Sequence, residues 1–162
     1  RNCKATRGSL IVLHPDETVQ LDHVIAIVVG AHLRAELGDR RRGYYLGETI
    51  VDWMEQHALA GPPWPLVCSD LWYLNDTALR TRPTICIGQP EVNAATAALS
   101  PKLETILLED DAYRIQGDSE YIDLKYCLWG IDDSHSNQCL EQFIKTVLEN
   151  FLGSIFGVSV EK

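Results

Sequence analysis

The chain has 162 residues, 46% of them hydrophobic and 23% charged, and its 14 basic and 23 acidic side chains leave a formal net charge of −9. A chain of this length buries roughly 70% of the surface it would expose unfolded, so it can build a core without disulfide or metal staples. An acidic balance repels phosphate backbones, which argues against nucleic acid as a partner. The longest apolar stretch, Val24–Ala31, falls well short of the roughly 20 residues of a membrane span.

The basic start of the chain leads only into Leu10–Leu13 before His14 and Pro15, too short an apolar run for a signal-peptide core. Asp16 can cap a helix running to about Leu37, with Leu21, Ile25, Val28, His32 and Ala35 on one face and Gly38 as its stop. The β-branched run Val24–Val29 makes a strand the rival reading there. A second helix is expected from about Gly43 to Leu59, burying Leu46, Ile50, Trp53 and Met54 and ending at the Pro-rich Gly61–Pro65. Between these helices, Arg40-Arg41-Arg42 reads as a solvated turn.

Leu10–Leu13, Leu66–Leu74 (interrupted by Ser69-Asp70), Thr84–Ile87, Thr105–Leu108 and Tyr126–Ile131 read as strands. Most are continuous apolar runs, the pattern of strands buried on both faces of a sheet. Near the C-terminus, Cys139/Leu140, Phe143/Ile144, Val147/Leu148 and Phe151/Leu152 recur every four residues and predict one long helix. Strands alternating with helices imply a single α/β domain over residues 1–162. It is expected to be a three-layer sandwich with a mostly parallel central sheet, in flavodoxin-like or Rossmann-like order.

The five cysteines, Cys3, Cys68, Cys86, Cys127 and Cys139, contain no CxxC pair. They are expected to be reduced and mostly buried, which implies a cytoplasmic protein. His14, His23, His32 and His57 show no zinc spacing.

Ligands of open parallel sheets bind at the carboxyl ends of the strands, where loops lead into helices. Three such segments carry polar groups: Cys68-Ser69-Asp70, Gly88–Asn93 and Gly130–His135. The candidate ligand-binding residues are accordingly Asp70, Gly88, Gln89, Asn93, Asp132, Ser134 and His135. Gly88 could let backbone amides face an anion, but no phosphate-loop motif is present. Pro90 at the first helical position and Glu91 on the helix dipole give a purely structural reading of the same residues. Asp70, Asp132 and Asp133 could together hold Mg²⁺ through oxygen ligands. In the structural reading, Asp133 or Ser134 caps the following helix. Ser69 or Cys68 could be combined with His135 and Asp132 as a nucleophilic set, but no G-x-S-x-G elbow supports it.

No catalytic constellation is complete, so the sequence points to a module binding a small ligand or a protein partner. The alternative is a Mg-dependent hydrolase or transferase acting on a phosphorylated or nucleotide-like small molecule. Ile155, Phe156 and Val158 extend the apolar content past Gly153. They are expected either to fold back across the domain or to form a homodimer interface through the C-terminal segment.

Overall fold

The computed structural model describes residues 20–159. After a 3-10 turn at Leu21–His23, the chain forms β1 (Val24–Val29), α1 (Leu33–Gln56), β2 (Trp64–Ser69), α2 (Asp70–Asn75), α3 (Thr77–Arg80) and β3 (Thr84–Ile87). Then come α4 (Ala94–Leu99), β4 (Glu104–Glu109), β5 (Tyr113–Gly117), β6 (Lys125–Gly130), α5 (Asp133–Thr146) and α6 (Leu148–Phe156). The fold is α/β, built on one six-stranded mixed sheet in the order β2-β1-β3-β6-β5-β4. β2, β1, β3 and β6 are mutually parallel, and β5 runs antiparallel to both β6 and β4. Only β5 therefore points against the rest.

Two apolar cores lie on the two faces of the sheet. Ile25, Ile27 and Val29 pack with Leu46, Ile50, Phe143, Phe151 and Leu152 from α1, α5 and α6. Val24, Ala26 and Val28 pack with Tyr73, Leu79 and Ala95 from α2, α3 and α4. All six residues of β1 are buried, because a central parallel strand has helices over both faces.

This corrects the helix expected from Asp16 to Leu37. Val24–Val29 is a strand, and the first long helix begins at Leu33, capped by the His32 ring, which accepts from the Arg34 amide. Leu10–Leu13 and Asp16 lie outside the described residues. Gly38 and Gly43, expected as a helix stop and a helix start, both lie inside α1. A β-carbon at Gly43 would stand 3.2 Å from Val29 and Val67 methyls, so the bare position lets α1 settle closely on the sheet. Arg42 is likewise in α1 and 7% exposed, not part of a solvated turn.

β2 starts at Trp64 and ends at Ser69, so Asp70–Leu74 is helix where strand was expected. Pro65, which has no amide hydrogen to donate to a ladder, is tolerated there because β2 is an edge strand. β5 carries no clear sequence signal. The C-terminal helix is two helices: the backbone leaves helical geometry at Val147, at φ −120°, between α5 and α6, although the Val147 amide still donates to the Phe143 carbonyl and its own carbonyl accepts from Phe151. The break re-aims the apolar stripe so that Phe143, Val147, Leu148, Phe151 and Leu152 all stay buried. Beyond them, Ile155 and Phe156 pack against the same core, with the Phe156 ring 6.0 Å from that of Trp53. Ile155 and Phe156 thus fold back against the domain, which is one arm of the C-terminal expectation.

Cys68, Cys86, Cys127 and Cys139 are buried and free; Cys3 lies outside the described residues. Burial pushes the Cys68 and Cys139 thiols up to about 12 and holds Cys86 well above its ordinary value. Thiolate, the reactive form, is therefore scarce at neutral pH. These four thiols are expected to resist an aqueous thiol reagent in the native protein and to react together once it is denatured. Rapid native labelling of any of the four, read by mass spectrometry, would contradict the packing.

Candidate functional site

All the sequence-predicted site residues lie along the carboxyl edge of the parallel strands, but they do different things there. Asp70, 4% exposed at the end of β2, spends both carboxylate oxygens on backbone amides. Oδ1 accepts from Ala31 at 2.9 Å and Leu71 at 2.8 Å, and Oδ2 accepts from Ala94 at 2.8 Å. One side chain thereby joins the turn after β1 to the starts of α2 and α4.

Asn93 is fully buried and equally committed. Its amide nitrogen donates to the carbonyls of Val28 and Ile87, at the ends of β1 and β3, at 3.0 and 2.8 Å. Its oxygen accepts from the Ala95 and Thr96 amides and so caps α4. An Asn side chain has two donors and one acceptor oxygen, and here all are used within the fold. The helix thus starts at Ala94 and not at Pro90, which sits with Glu91 in the preceding turn.

On the other face, Gly88 and Gln89 lead out of β3. Gly88 has φ +113°, and a β-carbon there would meet Asp39 Oδ2 at 2.6 Å, so the site needs glycine twice over. Gln89 Nε2 donates to the Gly130 carbonyl at 2.7 Å and ties this loop to the end of β6. Nearby is a charged group the sequence reading missed. Arg42 Nη1 donates to Asp39 Oδ1 at 2.8 Å, Nη2 to Asp133 Oδ1 at 2.6 Å, and Nε to Asn137 Oδ1 at 2.8 Å. Burial raises the Asp39 carboxyl above its ordinary value, and the Arg42 charge opposes that shift. The clue was the Asp39–Arg42 spacing of three, which puts both on one helix face.

Asp132 caps α5, a role the sequence reading gave to Asp133 or Ser134. Its Oδ1 accepts from the His135 amide at 2.9 Å and lies 2.8 Å from His135 Nδ1. These hydrogen bonds hold the Asp132 carboxyl below its ordinary value. Ser69 is an N-cap, accepting from the Trp72 amide at 3.2 Å. It lies three strands away from the end of β6, about 14 Å at normal strand spacing, too far to use His135 as a base.

The three carboxylates proposed for Mg²⁺ are also separate: Asp70 faces amides, Asp133 faces Arg42, and Asp132 faces His135. Among the described residues no three His, Cys, Asp or Glu side chains are grouped to hold a metal. Two cavities, of about 360 and 470 Å³, open at the opposite edge, around the loop from Gly117 to Lys125. There Lys125 Nζ donates to Arg80 and Thr84 oxygens, each at 2.9 Å, and to the Arg82 carbonyl; burial lowers the ammonium to about 8.

What the carboxyl edge leaves in solvent is apolar. Of the ten large hydrophobic side chains exposed among the described residues, five lie in the segments that leave the ends of β1, β2 and β6: Leu33 and Leu37 in the first two turns of α1, Leu71 and Trp72 at the start of α2, and Ile131 after β6. Leu33 is 76% and Leu37 77% exposed. The fold is therefore α/β, with helices over both faces of a mixed sheet, and Asp70, Asn93 and Arg42 at this edge are engaged by hydrogen bonds within the fold. Comparisons with protein-family models, with curated proteins and with solved structures gave no match.

Proposed function

We propose that this is a non-catalytic recognition domain that docks a protein partner on the carboxyl edge of its parallel strands. The observation that carries this reading is a division of labour. Asp70 and Asn93, the groups best placed to bind a ligand, are consumed by backbone hydrogen bonds, whereas Leu33, Leu37, Leu71, Trp72 and Ile131 stand exposed in the segments leaving the ends of β1, β2 and β6. Exposed large apolar groups gathered at one edge are characteristic of interaction surfaces. The domain is read as a three-layer sandwich whose strand order opens 2-1-3 as in flavodoxin-like folds and then departs from them. Buried free thiols fit a reducing compartment such as the cytoplasm. The Mg-dependent hydrolase reading has less support, because its three carboxylates are pointed at three different partners.

The test places a photo-crosslinking residue singly at Leu33, Leu37 or Ile131 in cells that make the protein, with Asp52 and Lys145 as exposed controls. Adducts of one common added mass are expected from the three edge positions and not from the controls. Equal labelling at all five, or none at the edge, would refute the proposal. A large rise in melting temperature with Mg²⁺ and a nucleotide, about 2.7 kcal/mol at a hundredfold excess over the dissociation constant, would instead favour the enzyme reading.

A further inference from the structure

The sheet has a second open surface, independent of the carboxyl edge. β4 is a terminal strand, and among the described residues nothing pairs with its outer side. Five of its six residues are exposed, including Ile106 and Leu108. An edge strand offers a row of free backbone donors and acceptors, and natural proteins protect such edges with proline, lysine, bulges or a covering element. β4 has neither proline nor lysine; its one irregularity is a bulge between Thr105 and Leu107.

Its charges say what could cover it. Glu109, Asp110 and Asp111 stand at one end. At the other, Glu104 lines the 470 Å³ cavity with Glu120 and Asp123. Among the described residues lining that cavity there are two lysines; Lys125 is committed to carbonyl and hydroxyl oxygens, and Lys102 is the other. Arg114, opposite Leu108 on β5, is turned onto the Trp129 ring at 5.8 Å.

Two antiparallel self-pairings of this edge oppose like charges. Antiparallel self-pairing centred between Ile106 and Leu107 sets Glu104 against Glu109. Centring on Leu107 sets Glu104 against Asp110. Like charges directly opposite each other destabilise a sheet.

We propose that the outer edge of β4 is a docking strand for an extended, basic-ended segment of a partner protein, which adds to the sheet as a seventh strand. Backbone pairing would supply the affinity, apolar side chains of the segment would meet Ile106 and Leu108, and lysines or arginines at its ends would meet the two acidic groups. This proposal does not rest on the carboxyl-edge reading, and crosslinking at Leu33 or Ile131 is indifferent to its outcome.

The experiment titrates the full chain into a fluorescein-labelled peptide, Lys-Arg-Val-Thr-Val-Thr-Arg-Lys, and reads anisotropy. Saturable binding is expected, weakened roughly tenfold or more when the terminal basic residues are changed to glutamate or when Ile106→Lys and Leu108→Lys are combined in the protein. Two further peptides, N-methylated at alternate residues, test the backbone. One is expected to lose binding and the other to keep it, because only one side of a strand faces its neighbour. Equal binding by both, equal binding by the acidic-ended peptide, or no binding overturns the proposal. So does a dimer in sedimentation that the double lysine variant dissolves, which would make the occupant a second copy. Binding that requires removal of residues 1–19 would make it the chain's own segment and is equally fatal.

Discussion

Replacing Asp70 with alanine is expected to lower stability by about 3–5 kcal/mol, a large share of the 5–15 kcal/mol typical of a domain. The carboxylate is 4% exposed and receives three amide hydrogens, from Ala31, Leu71 and Ala94. Alanine would leave all three without an acceptor at a point where water has little access. Asp70→Asn keeps one oxygen but turns an N–H donor toward one of the amides, so an intermediate loss is expected. For a chain of this length the alanine variant should melt roughly 10 °C or more below the parent. Amide exchange locates the effect: protection should fall first at Ala31, Leu71 and Ala94. A variant that melted with the parent would show that these hydrogen bonds do not hold the edge together.

Arg42→Met is expected to be of similar size, about 3–5 kcal/mol at neutral pH, because it leaves the Asp39 carboxylate buried without its counter-ion. The side chains of Arg42 and Asp39 are 8% and 11% exposed, whereas Asp133 at 86% can turn to water. The loss should depend on pH. Burial already raises Asp39 in the folded protein against the opposing Arg42 charge, and removing Arg42 removes that opposition. A raised carboxyl holds its proton better folded than unfolded. Its contribution to stability is therefore fully present below the unfolded value and is lost as pH rises through the folded one. The gap between variant and parent should accordingly shrink on going from about pH 8 to about pH 5. Adding Asp39→Asn should recover more than half of the loss at neutral pH. A gap that did not vary with pH would mean that the guanidinium acts through packing alone.

The α/β class and most strand positions were legible in the sequence because buried parallel strands are continuous apolar runs. That same property hid the identity of Val24–Val29. A strand covered on both faces shows no alternation, and Leu21, Ile25 and Val28 happen to fall at helical spacing. Glycines misled in a related way. Gly38 and Gly43 resemble helix boundaries, yet they sit within α1 because the helix must approach the sheet closely. At the edge, Asp70 and Asn93 were identifiable as important polar residues. Their partners are backbone amides and carbonyls supplied by other elements, which no side-chain pattern encodes. Arg42 was misjudged because a triple-arginine run looks solvated, and only the tertiary fold brings Asp133 and Asn137 from α5 up against one of its three members.

The position of the β4–β5 hairpin also bears on how the chain reaches this fold. β4 and β5 are joined by Asp110–Ala112 alone, with Asp110 and Asp111 at positive φ, whereas β3 meets β6 across an excursion of roughly 40 residues. By loop-closure entropy the longer closure costs about 2 kcal/mol more. The hairpin can therefore find its register before the parallel strands have assembled. The strand with the open edge belongs to the part of the sheet that depends least on the rest for its formation.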